Sequence, residues 1–184
     1  MNTCKRVVFG IIIIVTIGVV FWGNHIMMER PSQMLSEYIN QGKLVELNLT
    51  IYFVDPSILT YIPVDIEGLK EWGGDNKITV NGSQLAEHIS LINQMINTDL
   101  SRVNNKDKNS YLNARIYYLF ETNYGKNVYD VAMWCDARGD NESIIINGRN
   151  YKSNDIFYNV IFPFLPEDYA QVLVEYISLG KYDE

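Results

Sequence analysis

The chain has 184 residues, a net charge of −7 at pH 7 and a mean hydropathy of −0.08. All 22 acidic residues follow Met28, whereas Lys5 and Arg6 precede it, so the part after Met28 carries a net charge near −9. This balance argues against nucleic acid and anionic lipid surfaces as partners, since both require clustered Lys and Arg. The same part holds one cysteine, Cys135, which excludes an internal disulfide there.

An apolar run opens the chain and indicates a membrane anchor. Residues Val7 to Met28 carry no formal charge, and at about 1.5 Å per residue a helix of this length spans the roughly 30 Å of bilayer hydrocarbon. A helix is expected because backbone polar groups in lipid must pair within the segment. Lys5 and Arg6 precede the run, which places the N-terminus in the cytoplasm and the rest outside.

A cleaved signal peptide and a buried core helix are the alternatives for this run. Cleavage requires small residues at the −3 and −1 positions. Thr16-Ile17-Gly18 and Phe21-Trp22-Gly23 meet this requirement poorly. The sequence therefore predicts an uncleaved signal-anchor, with the lipid bilayer as a partner. The predicted organisation is a cytoplasmic stub at 1–6, a transmembrane signal-anchor helix at 7–28, a stalk or short helix at 29–42 and an extracytoplasmic domain at 43–184.

The source is expected to be bacterial. Extracellular animal domains are often stapled by disulfides, which this one cannot be. Asn, Ile, Tyr and Lys are plentiful, a bias that AT-rich coding produces. The localisation that follows is a bacterial cell membrane, or secretion if the segment is cleaved.

The first half of the domain predicts strands and one long helix. Residues 44–54 alternate as a strand with one buried side, and residues 57–62 are expected to return as a second strand before an irregular stretch at 64–76. Residues 77–80 form a short strand that enters a tight Asn81-Gly82 turn of positive φ. A helix at 83–100 follows, with an apolar stripe at helical spacing formed by Leu85, Ile89, Ile92 and Ile96. The buried side of the first strand is predicted to hold Val45, Leu47, Leu49, Ile51 and Phe53.

The second half predicts the best-defined part of a sheet. Strands at 111–122 and 128–136 are joined by a turn at 123–126, and a strand at 142–146 leads into Asn147-Gly148. A broken helix at 155–165 and a closing helix at 167–179 complete the chain. The pentapeptides at 78–82 and 144–148 resemble each other, which recurrent turn chemistry explains better than duplication. The fold class expected is α+β, with one antiparallel sheet and helices packed on one face.

One face of the 111–122 strand is a candidate binding surface. The turn at 123–126 sets a register in which Arg115 lies opposite Trp134 and Tyr117 lies opposite Ala132, with Asp130 diagonal to Tyr117. The four predicted ligand-binding residues are Arg115, Tyr117, Asp130 and Trp134. Such a face could bind a peptide, a sugar or a protein surface. The alternative is ordinary cross-strand packing, or coverage by a helix.

No residues in the sequence predict catalysis, a metal or a cofactor. Asp136, Asp140 and Glu142 could supply oxygen ligands to Ca²⁺, but they do not have EF-hand spacing. His88 lacks a second histidine at zinc-protease spacing. Cys135 is expected to be a small buried apolar residue rather than a thiol nucleophile.

The function predicted from these observations is binding. The expected protein is a single-pass membrane-anchored one whose extracytoplasmic domain binds a protein or a cell-envelope partner, and not nucleic acid. Two alternatives stay open: a cell-surface hydrolase that uses acidic residues, and an immunity or inhibitor protein against a secreted toxin.

Overall fold

The structure is a computed structural model that describes residues 31–55, 58, 64–74, 77–103, 114–133 and 143–179. The predicted signal-anchor at 7–28 lies outside these residues, as does most of the strand predicted at 57–62. In the part that is described, no helix has the length and apolar character needed to cross a membrane.

The centre of the fold is one antiparallel sheet of six strands in the order β2-β1-β3-β4-β5-β6. The expected α+β class with an antiparallel sheet is therefore confirmed. The strands are β1 (Leu47–Phe53), β2 (Ile78–Asn81), β3 (Ile116–Thr122), β4 (Asn127–Met133), β5 (Ser143–Ile146) and β6 (Arg149–Lys152).

The helices lie on both faces of the sheet, which corrects the expectation of one helical face. All of them except α2 contribute buried side chains to the main core, whereas Leu69 of α2 packs into a smaller cluster on the opposite face. We call these the core face and the α2 face. The helices are α1 (Gln33–Asn40), α2 (Ile66–Trp72), α3 (Gly82–Glu87), α4 (Ile89–Asn97), α5 (Ile156–Asn159) and α6 (Glu167–Leu179).

Strand β1 follows the alternation in its sequence, apart from its start. Leu47, Leu49, Ile51 and Phe53 point into the core face, as predicted. Val45 does not, because Leu44–Glu46 form a single 3₁₀ turn and the Val45 side chain is 59% exposed. The expected burial of Val45 was wrong, since strand alternation holds only where the backbone is extended.

The register of β3 and β4 matches the prediction in its middle. Tyr117 pairs with Ala132, and Leu119 pairs with Asp130. An irregularity follows Phe120, where Glu121 pairs with Asn127. The extra residue of this bulge lets both Val128 and Tyr129 point into the core.

Residues 66–72, expected to be irregular, form helix α2. The side chain of Asp65 accepts a hydrogen bond of 2.8 Å from the backbone N–H of Gly68 and caps the helix. The helix buries Leu69 completely. Only seven residues long, with Gly68 in its middle, it has too short an apolar repeat to be recognised from periodicity.

Asn81-Gly82 is a helix start rather than the predicted turn. Asn81 has a φ of −80°, and its side chain accepts hydrogen bonds from the backbone of Ser83 and Gln84 in a capping box. A β-carbon on Gly82 would lie 2.4 Å from the Cα of Val45. Glycine is therefore required at this position by close packing and not by a positive φ.

The helix predicted at 83–100 is divided in two. His88 ends α3 and precedes α4 with a φ of −112°. Leu85, Ile92 and Ile96 are buried as the stripe predicted, but Ile89 is 39% exposed because the break turns it outwards.

Asn147-Gly148 does form a hairpin turn. Asn147 has a φ of 47° and Gly148 a φ of 72°, the left-handed pair that a tight hairpin needs. The turn joins β5 to β6, a strand that the sequence did not predict. The two similar pentapeptides thus form different structures: residues 81–82 start a helix, whereas residues 147–148 form a hairpin turn. The closing helix at 167–179 has the predicted bounds.

Candidate functional site

The residues of the predicted binding surface are mostly buried. Tyr117 is 4% exposed and Arg115 is 5% exposed. The backbone N–H of Arg115 donates to the carbonyl of Met133, and its carbonyl accepts from Val54. Trp134 lies outside the described residues. The expected open aromatic patch around Tyr117 is therefore not what the structure shows.

Helix α2 covers Tyr117. Leu69 packs into the same cluster as the tyrosine, and the Nζ of Lys70 lies 5.2 Å from the centre of the Tyr117 ring. Burial, reinforced by the negative charges of Asp130 and Glu67, raises the pKa of the Tyr117 hydroxyl above its ordinary value. Tyr117 is thus a neutral packing residue under a helix.

Asp130 is half-buried and lies in the middle of β4. Its backbone N–H donates a hydrogen bond of 2.9 Å to the side-chain oxygen of Asn147, and its carboxylate accepts one from the side chain of Asn127. These contacts tie Asp130 to the β5–β6 turn. Asp130 stays diagonal to Tyr117, whose pKa is raised by burial and by the charge of Asp130, but the buried Tyr117 and Arg115 do not form an open surface with it.

The described residues contain no cluster of three or more His, Cys, Asp or Glu side chains that could hold a metal. The imidazole of His88 stands edge-on to the ring of Phe164, with 5.0 Å between ring centres. Asp136, Asp140, Glu142 and Cys135 lie outside the described part of the chain.

A cleft of about 310 Å³ opens between α1 and the sheet, at the β5–β6 turn. Its size is at the lower end of the range for small-ligand sites. Sequence reasoning did not predict it. Its lining is formed by Pro31, Gln33, Met34, Glu37, Val128, Asn147 and Arg149.

The side chain of Asn147 holds the two sides of this cleft together. Its nitrogen donates a hydrogen bond of 2.8 Å to the carbonyl oxygen of Pro31, while its oxygen accepts from the Asp130 N–H. Helix α1 is fixed further by the Ser32 hydroxyl, which donates to the carbonyl of Ile96 at 2.9 Å. Leu35 is fully buried in the main core, a burial that contributes about 2 kcal/mol. The cleft therefore has walls that are held in place.

The cleft contains one charge of each sign. Arg149 and Glu37 are both exposed, and they do not form an ion pair with each other, since the ion pair found among the described residues is Lys70–Glu67. The side-chain nitrogen of Gln33 donates to the Glu37 carboxylate at 3.3 Å. Met34 and Val128 supply apolar surface. The arrangement offers separate partners for a positive and a negative group, beside an apolar wall.

Only one sequence signal pointed to this cleft. Asn-Gly predicted the turn that carries Asn147, but nothing in the sequence connects that turn with Pro31, 116 residues away. Arg149 and Glu37 stand alone in their segments and match no motif.

Comparisons with known proteins do not assign the site. No family model matches the chain, and no curated protein and no solved structure matches it.

Proposed function

We propose that the protein is a single-pass membrane protein whose extracytoplasmic domain binds a cell-envelope component or a protein at the cleft beside Pro31. Arg149, Glu37, Gln33 and Asn147 are the polar groups that contact the ligand, and Met34 supplies apolar contact. We propose this cleft as the binding site instead of the surface around Tyr117, because α2 covers that surface.

The attachment of α1 to the domain is the observation that carries this proposal. Pro31 follows Met28, the last residue of the apolar run, by three positions, and it is already hydrogen-bonded to Asn147. Two residues later the chain enters α1, which is packed into the core through Leu35. If residues 7–28 span the bilayer, the cleft is held next to the membrane surface without a stalk.

The composition of the cleft favours binding over hydrolysis by paired acids. Among its lining residues Glu37 is the one carboxylate, whereas a glycosidase-type mechanism requires two carboxyl groups that flank the scissile bond. The cleft's mixture of apolar surface with a few polar groups is typical of ligand sites.

Photocrosslinking in membranes tests the proposed function. A photoreactive amino acid replaces Met34, which lines the cleft, or Trp72, which is 57% exposed at the end of α2 and serves as the matched control. We expect adducts from position 34 and none from position 72. Adducts of equal yield at both positions, or none at position 34, would contradict a ligand in the cleft.

A further inference from the structure

We infer that the cleft binds the phosphoethanolamine headgroup of a zwitterionic lipid, an inference that rests on the proposed function. Arg149 pairs with the phosphodiester, Glu37 accepts hydrogen bonds from the primary ammonium, and Met34 contacts the glycerol end of the lipid. This headgroup carries one charge of each sign, and the lining of the cleft also carries one charge of each sign, Arg149 and Glu37, which do not pair with each other.

The chemistry of the two charged side chains indicates which one binds the phosphate of the ligand and which one binds its ammonium group. A guanidinium presents several N–H donors in a plane, which suits two oxygens of a phosphate. A carboxylate accepts hydrogen bonds from an ammonium group and gains from its charge. Gln33 bonds to one oxygen of Glu37 and so restricts the carboxylate. The ligand is therefore oriented with its phosphate towards β6 and its ammonium towards α1.

The net charge of the whole domain favours a zwitterionic headgroup over an anionic one. With a net charge near −9 after Met28, the domain repels anionic lipid surfaces. A zwitterionic headgroup carries no net charge and is not repelled. Its ammonium also separates it from phosphocholine, whose methylated nitrogen has no N–H to donate to Glu37.

The position of the cleft favours a lipid over a free metabolite. Pro31 lines the cleft and lies three residues beyond the apolar run. Asn147 fixes Pro31 to the domain, so the cleft cannot swing away from the headgroup region through a flexible link at this point.

The test uses the full chain in maltoside micelles, whose headgroup is uncharged. Isothermal titration with glycerophosphoethanolamine, a phosphodiester like the lipid headgroup, is compared with titrations of glycerophosphocholine and of inorganic phosphate. We expect saturable binding of glycerophosphoethanolamine and at least tenfold weaker binding of the other two. R149Q and E37Q should each weaken glycerophosphoethanolamine binding at least tenfold, while E87Q, on the exposed surface of α3, should leave it unchanged.

A second arm separates the lipid from the soluble molecule. The full chain is placed in nanodiscs of phosphatidylcholine with or without phosphatidylethanolamine, and the photoreactive residue at position 34 is activated. Lipid adducts that require phosphatidylethanolamine and are lost in R149Q support the inference. Equal binding of glycerophosphocholine, no effect of R149Q, or adducts of protein mass alone would overturn it. Protein adducts at position 34 would leave the proposed binding cleft standing, whereas no adduct of any kind would remove both.

Discussion

The side-chain nitrogen of Asn147 donates a hydrogen bond of 2.8 Å to the carbonyl oxygen of Pro31, across 116 positions of sequence. One hairpin residue thereby connects the far end of the sheet to the start of the domain. Asn147 can reach Pro31 because it adopts a φ of 47°, which asparagine tolerates better than most residues. The bond fixes Pro31 at the edge of the cleft that both residues line.

Replacing Asn147 by glycine tests this connection without disturbing the turn. Glycine accepts the positive φ, so N147G removes only the two side-chain hydrogen bonds, to Pro31 and Asp130. We expect a loss of about 1–2 kcal/mol in the free energy of unfolding, measured by denaturant titration, and faster amide exchange in α1. N40A removes an exposed asparagine of α1 and should not have these effects. Unchanged exchange in α1 would contradict the role of Asn147.

Gly82→Ala tests the close packing at the start of α3. The added β-carbon would lie 2.4 Å from the Cα of Val45 and 2.5 Å from the carbonyl oxygen of Leu44, and both are backbone atoms that move only with their segment. We expect a destabilisation of about 1–3 kcal/mol, although alanine is the better helix former. Gly74→Ala is the control, because no atom lies within 4 Å of its β-carbon. Equal stability of the two variants in thermal melts would show that the packing argument is wrong.

Substitution by phenylalanine should have different effects on stability at two buried tyrosines, Tyr118 and Tyr129. The hydroxyl of Tyr118 lies 3.1 Å from the carbonyl oxygen of Phe157, so Y118F leaves a buried acceptor unpaired and should cost about 1–3 kcal/mol. The hydroxyl of Tyr129 is buried and has no hydrogen-bond partner among the described residues. Y129F should therefore be neutral or stabilising. A Y129F variant that is as unstable as Y118F in denaturant titrations would contradict this difference.

The same tyrosines predict a loss of stability in alkali. Burial raises the pKa of Tyr118 and of Tyr129 above the ordinary value of 10.0. When folding raises the pKa of a group, that group makes its full contribution to the free energy of unfolding below the pKa it has in the unfolded chain. The contribution is lost as the pH rises from the unfolded-state pKa to the folded-state pKa. The free energy of unfolding should thus be unaffected by these groups up to about pH 10 and then fall by up to about 1.4 kcal/mol per pH unit for each tyrosine. Y129F should reduce this slope by up to about 1.4 kcal/mol per pH unit, because one buried tyrosine fewer then loses a proton on unfolding. A denaturation midpoint that stays constant well above pH 10 would contradict the prediction.

The parts of the fold that the sequence predicted are those with long regular patterns. Strand β1 alternates over seven residues from Leu47 to Phe53, and the turn at 123–126 set the pairing of Tyr117 with Ala132. These signals are local, because a strand's alternation and a hairpin's register depend on neighbouring residues.

The burial of the candidate binding surface depends on a helix that the sequence did not predict. Residues 66–72 have too few turns to show a stripe, so the sequence left open whether Tyr117 forms a binding surface or is covered by a helix. The cleft was not predicted because the residues that line it are far apart along the chain. Glu37 and Arg149 meet there only because α1 docks beside the β5–β6 turn, and no local pattern encodes that docking.

Labelling of an engineered thiol in intact cells tests whether residues 7–28 anchor an extracytoplasmic domain. Tyr124 is 98% exposed in the β3–β4 turn, and Y124C in a C4A/C135A background provides a single thiol, with the background itself as control. We expect that a membrane-impermeant maleimide labels Y124C in intact cells, and that the labelled chain is full-length and stays in the membrane after carbonate extraction. Labelling only after lysis, or a shortened chain released to the medium, would contradict it.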